Sequence, residues 1–176
     1  MPRLPEIFDR DALPEDKRDV HDYLVKTRGA VSNGFAPFLH SPDLVARVAH
    51  LGTYIRFEST LPARTRELLA LTASSELDNP YERTIHARDA LTREASQQAV
   101  DAAISKGSLD GIGEDEALPI RTARELIRDH GLSDASFAAI REQFGDQGSV
   151  EFIGTISYYA MLAYNHNALQ VTLPST

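Results

Sequence analysis

Residues 62–91, from Pro62 to Leu91, read PARTRELLALTASSELDNPYERTIHARDAL. Two helical segments meet at Asp78-Asn79-Pro80, because a proline disfavours the helical conformation in the residue before it. The first segment has a start signal: Thr60 is placed to cap it, and Pro62 brings a preset φ to the first turn. On the second, Asn79 is placed as the N-terminal cap ahead of Pro80. Asn79, Glu82 and His86 stand at i, i+3 and i+7, which at about 100° per residue is one narrow stripe. Ala63, Glu67, Ala70 and Ser74 form a stripe on the first segment, and Glu67 is its only large side chain. A lone carboxyl among small residues suits a close helix crossing or the wall of a pocket.

Outward from this pair the helical pattern continues. Residues 1–14, with Pro2, Pro5 and Pro14, read as an irregular arm. Glu15 to Thr27 is a polar helix ended by Gly29, and Ser32-Asn33-Gly34 is a turn. Ser41, Pro42 and Asp43 start a helix that runs to about Glu58. Beyond Leu91, Glu94 stands where a glycine turn would serve. Either the helix runs on toward Lys106, or Glu94 adopts a left-handed conformation. Gly131 closes a helix begun at Glu114, and Ser133 caps the next, which Gly145 stops. The last helix opens at Ser149 and carries no charge from Phe152 to Asn165, so it is expected to be buried centrally or in a subunit contact. No segment alternates with period two between hairpin turns. The expected fold is all-α: a single domain of about seven or eight helices over residues 15–170, with 171–176 as a tail.

Composition excludes several function classes. A net charge of −8 disfavours nucleic acid and anionic membranes as partners. No window holds eighteen apolar residues, and residues 1–11 have no apolar signal region. The absence of cysteine removes disulfides, thiolate metal sites and thiol nucleophiles, and fits a cytoplasmic protein. No second E-x-x-H or H-x-x-x-H joins Glu82 and His86, and phosphate loops and nucleotide fingerprints are missing, so no metal and no cofactor is expected.

Two readings of the pair Glu82 and His86 stand side by side. As an exposed i, i+4 pair it would contribute only about 0.2–0.5 kcal/mol. Periodicity alone favours this reading, since Tyr81 and Ile85 mark the opposite side as core-facing. As a site, Glu82 would orient the imidazole and His86 would act as general acid or base. Glu67 is either a solvated helix glutamate beside Arg64 or Arg66, or a buried carboxyl relaying a proton to His86. In the second case, two neighbouring carboxyls are expected to push one pKa upward. Tyr81 is a core aromatic or a phenol donor to a substrate oxygen. His50 and His166 read as structural.

The run R-x-R-E-L-x-x-L at 64–71, followed by Y-E-x-x-x-H at 81–86, resembles the carboxymuconolactone decarboxylase-like family, which includes alkyl hydroperoxidase D. Leu39-His40-Ser41-Pro42 and the closing Tyr-Tyr-Ala-Met-Leu extend the likeness from about Arg28 to Pro174. The family's peroxidase branch has C-x-x-C-x-x-x-H on the second helix. Its histidine falls on His86, the preceding glutamate on Glu67, and its two cysteines on Asn79 and Glu82. Peroxidase activity is therefore not expected, since no thiol remains. The resemblance implies an alkyl hydroperoxidase D-like helical subunit assembled into trimers or hexamers, with pockets near subunit contacts. It also implies a cofactor-free lyase acting on a small organic acid or lactone by decarboxylation or related chemistry. His86, Glu67 and Glu82 would carry the proton chemistry, Arg66 or Arg83 would hold a carboxylate, and Tyr81, Phe38 and His40 would contact substrate. The alternative is a non-catalytic oligomeric ligand-binding or scaffold protein of the same fold.

Overall fold

The computed structural model describes residues 1–174; the last two positions of the expected tail, 175–176, lie outside the described residues. Its α-helices are α1 (Arg18–Arg28), α2 (Pro42–Thr53), α3 (Ala63–Glu76), α4 (Pro80–Thr92), α5 (Gln97–Ser105), α6 (Glu114–Asp129) and α7 (Asp134–Leu169), and no strand occurs among the described residues. Helix α3 is central and packs against α4, α5, α6 and α7. Every residue from Leu68 to Ser75 is buried. A helix covered on all sides need not be apolar throughout when its polar residues are small: Ser74 Oγ returns to the Ala70 carbonyl at 2.7 Å.

Most element ends follow from local chemistry. Asn79 caps α4 by accepting from the Glu82 amide at 2.8 Å, and Ser133 caps α7 in the same manner. Helix α4 stops at Thr92, and Glu94 takes the left-handed conformation at φ +64° while the Ala95 amide reaches back to the Ala90 carbonyl. Gly145, at φ +69° and ψ −175°, breaks α7 between its two expected helices.

Three starts and stops differ from expectation. Thr60 does not cap α3. Its amide and hydroxyl both donate to Glu151 on α7, each at 2.7 Å, so a long-range carboxylate outcompetes the local cap. Ser41 precedes α2 without a side-chain cap bond. The helix begun at Pro42 passes at Tyr54 into a π-helical turn, Tyr54–Glu58, which shifts the phase of every side chain after it. Glu151 holds this turn and its exit, accepting from Tyr54 Oη at 2.5 Å and from Ser59 Oγ and Gln147 Nε2 at 2.9 Å. The uncharged half of α7 buries Phe152, Ile156, Tyr158, Tyr159 and Leu162, whereas Tyr164 stays 62% exposed and Val150 73%.

Candidate functional site

Helix α4 packs chiefly on α3 and also touches α5 and α7, and this packing decides which reading of its stripe applies. Tyr81, Glu82 and His86 are all buried, His86 to 1% exposure, so the pair is not on a solvated face. His86 Nδ1 donates to Glu67 Oε2 on α3 at 2.5 Å. Its Nε2 lies 3.2 Å from Glu82 Oε2. The other oxygen of Glu82 is 3.4 Å from Nδ1 of His166, near the end of α7. Glu67, His86, Glu82 and His166 therefore form a continuous array across three helices. Tyr159 stands edge-on to His86, with ring centroids 4.6 Å apart. Below the array, Asn79 Nδ2 donates to Asn167 Oδ1 at 2.8 Å and ties α4 to α7.

The protonation pattern follows from this order. Burial works against a charged imidazole, but the hydrogen bonds and negative charges of Glu67 and Glu82 outweigh it and raise His86 to about 9. Burial alone would push both carboxyls up, yet each is held below its ordinary value by His86 and, at longer range, by Arg56. The expected raised carboxyl is absent because a cation stands between the two anions. His166 goes the other way. Burial lowers it, only partly opposed by Glu82 and the Gly34 carbonyl.

A cavity of about 340 Å³ opens on this array. Glu82, His86 and His166 line it together with Tyr81, Tyr158 and Tyr159, while Arg28, Arg56, Arg88 and Asp89 supply further charge. With His86 protonated, the lining carries four cations against two carboxylates. Arg28 is committed to the Thr27 hydroxyl and the Ala49 carbonyl and stacks on Phe35. Arg56, by contrast, makes no hydrogen bond among the described residues; its nearest anion is Asp89, at 3.6 Å. Glu67 lines a second, smaller cavity of about 130 Å³ on its far side, with Arg56, Arg66 and Arg93.

The expected site residues divide accordingly. Glu67, Glu82, His86 and Tyr81 come together. Arg66 faces the smaller cavity and donates to the Ser59 and Leu61 carbonyls, which leaves it tied to the α3 entry. Arg83 lies outside the lining of either cavity. His40 is exposed and bonds the Pro5 carbonyl at 2.9 Å, holding the N-terminal arm rather than a pocket mouth. Phe38 stands behind the His166 ring at 5.6 Å without lining the cavity.

Sequence reasoning missed His166 and Arg56. A signal for His166 existed: Tyr159, Leu162 and His166 repeat the i, i+3, i+7 spacing of Asn79, Glu82 and His86. For Arg56 there was none, because the π turn sets its direction. Among the described residues no group of three or more His, Asp or Glu side chains is arranged to hold a metal ion. No helix there is long and apolar enough to cross a membrane.

Comparison with known proteins agrees with this geometry. Residues 42–116, which include Arg56, Glu67, Glu82 and His86, match the carboxymuconolactone decarboxylase family. No curated protein matches the chain. Among solved structures, an uncharacterized peroxidase-related protein with an alkylhydroperoxidase AhpD core from Ralstonia eutropha JMP134 superposes with a TM-score of 0.78 at 20% identity, covering 99% of this chain and 92% of that one. A peroxidase-related protein from Silicibacter sp. TM1040 gives 0.75 at 17%, covering 99% and 94%. The debrominase Bmp8 gives 0.77 at 18%, covering 98% and 92%. At these identities the likeness establishes the all-helical, alkyl hydroperoxidase D-like fold.

Proposed function

A segment of the carboxymuconolactone decarboxylase family, residues 42–116, carries most of this array, and on that premise we propose that the protein is a cofactor-free acid–base enzyme acting on a small organic acid or lactone. The observation that supports this most is His86, a buried imidazolium between two carboxylates in the wall of a cavity with a surplus of positive charge. A carboxylate-bearing substrate is attracted rather than repelled by such a lining, because His86 and the three arginines outnumber its carboxylates. Arg56, which makes no hydrogen bond among the described residues and only a 3.6 Å ion pair with Asp89, has donors free to anchor it, the role expected of Arg66 or Arg83. The tyrosines supply flat apolar walls, and His86 donates a proton to the carbon or oxygen on which charge develops. In a decarboxylation the bond to the carboxylate breaks and carbon dioxide leaves. The electron pair enters a conjugated carbonyl, and the carbanion carbon takes the proton.

Subunit assembly belongs to the same proposal. Leu51 and Val150 are exposed and, with Tyr54 and Ile55, line an apolar groove away from the cavity. A second copy of the chain would cover it.

The test is turnover of a panel of small lactones and keto acids by the wild type and by His86→Asn and Arg56→Gln. His86→Asn should lower kcat by about 10²–10⁴-fold, the usual contribution of a positioned acid or base. Arg56→Gln should act mainly on KM. If a compound binds the cavity equally well in all three proteins and none turns it over, the scaffold reading replaces this one.

A further inference from the structure

His166 is a buried titratable group that the proposed proton donor does not use. It is 3% exposed and its Nδ1 has no hydrogen-bond partner among the described residues. Two aromatic rings hold it, Tyr81 edge-on at 5.0 Å and Phe38 at 5.6 Å. The titratable groups facing it are Glu82 and Tyr81, both on α4; from the segment before α2 it meets Gly34 and Phe38. Gly34 packs closely on its other nitrogen, since a Cβ there would stand 3.1 Å from Nε2 and 2.8 Å from the Tyr81 ring.

Resting on the acid–base reading above, we propose that His166 is a second proton-transfer residue of the same cavity, paired with His86 across the Glu82 carboxylate. The substrate this implies is a small anionic carbonyl compound whose reaction moves a proton from one carbon to another. The two imidazoles flank one carboxylate, 3.2 Å from one oxygen and 3.4 Å from the other, and both line the 340 Å³ cavity. The ring faces two acceptors, Glu82 at Nδ1 and the Gly34 carbonyl, and both favour its protonated form, so His166 can take up a proton and hold it between them. The 3.4 Å contact is too long for a resting hydrogen bond and tightens once the ring becomes cationic. Environments that push two neighbouring groups in opposite directions mark one as acid and the other as base. Here burial keeps His166 neutral, while two carboxylates keep His86 charged.

The step balances without a redox partner. A carbon acid beside the substrate carbonyl gives its proton to His166, and the C–H electron pair enters the carbonyl system as an enolate. His86 gives its Nε2 proton to the distal carbon of that enolate, and the double bond shifts. His166 then loses the acquired proton to water in the cavity. His86 Nε2, which faces Glu82 and the cavity, is recharged from the same water. Decarboxylation needs no such base, so His166 distinguishes proton shift from loss of carbon dioxide.

The experiment is deuterium incorporation from D₂O into 2-oxobutanoate, levulinate and α-angelica lactone, followed by NMR between pH 5 and 10. It compares the wild type with His166→Gln, His166→Phe and His86→Asn, each checked for native circular dichroism and thermal unfolding. The expected result is exchange by the wild type on at least one probe, with a bell-shaped pH profile. Exchange falls by about 10²-fold or more in both His166 variants, the usual scale for a general base. The residual rate in those variants loses the acid limb of the profile, which a packing role alone would leave in place. Exchange that survives both His166 variants but not His86→Asn overturns the proposal and leaves the acid–base reading standing. Exchange indifferent to all three variants overturns both. No exchange on any probe overturns the carbon-acid substrate class.

Discussion

Replacing Glu67 by glutamine keeps the shape of the site and removes one of the two charges that hold the His86 proton. In the wild type His86 is raised from an ordinary value of about 6.5 to about 9. That difference corresponds to about 3–4 kcal/mol of stabilisation at about 1.4 kcal/mol per pH unit. A hydrogen bond to a charged group contributes about 1.5–3 kcal/mol, and the Glu67 contact is the shorter of the two at 2.5 Å. Its loss should bring the His86 midpoint down by about one to two pH units. The sign is fixed by linkage. Because the folded value is raised, the stabilisation is complete below about 6.5 and disappears as pH rises through about 9. The two carboxylates are depressed, so their share exists above about 4.3 and is lost as pH falls below it. The advantage of the wild type over Glu67→Gln should therefore be greatest near pH 6 and shrink on both sides. The assay is a ¹⁵N and ¹³C NMR titration of His86, assigned by its absence in His86→Asn, with urea unfolding at pH 6 and pH 10. A His86 midpoint near 6.5 in the wild type, or one that ignores the substitution, would refute the reasoning.

Two further predictions concern the frame. Glu151→Gln should cost about 2–3 kcal/mol, because the donors on Tyr54, Ser59, Thr60 and Gln147 lose a charged acceptor. Glu151 is held down to about 2, so its contribution is present above about 4.3 and fades as pH falls; an unchanged urea midpoint at pH 7 would contradict this account. Val150→Glu places a charge in the apolar groove beside Leu51 and Tyr54. In sedimentation velocity, if the groove is a subunit contact, the sedimenting mass should fall toward the 19.4 kDa subunit with native circular dichroism retained, whereas an unaltered mass would remove this face from the assembly.

Local chemistry made much of the fold legible. The cap at Asn79, the cap at Ser133, the break at Gly145 and the left-handed Glu94 each depend on a few adjacent residues. Burial of Glu82 and His86 did not follow from α4 alone. The face that α4 turns to its neighbours carries Glu82, His86 and Ala90, while Ile85 is only half-buried, so the side marked by Tyr81 and Ile85 was not the main covered one. Arg56 was illegible because one π turn rotates it away from the direction that a regular helix would give. Thr60 suited a local cap, and only the fold brings Glu151 to it from 91 residues away. His40 and Arg83 had suitable chemistry in suitable order, but the first faces the N-terminal arm and the second lies outside both cavities.

A carboxylate at Glu82, where a thiol would stand in the peroxidase branch that the sequence resembles, changes what the neighbouring histidine can do. Beside a thiol, an imidazole serves best as a base that draws off the thiol proton and leaves a nucleophile. Beside a carboxylate it becomes an acid. Glu82 adds a second anion to the one Glu67 already supplies, and His86 stays charged through neutral pH. Asn79 meanwhile serves as cap and tie, with its side chain committed to the Glu82 amide and to Asn167. On the proposed reading the cysteine-free site uses its histidine as a proton donor rather than as a base. An acid raised to about 9 gives up its proton reluctantly, so it suits a substrate on which strong negative charge develops. An enolate or carbanion next to an anchored carboxylate meets that requirement, and a neutral leaving group does not.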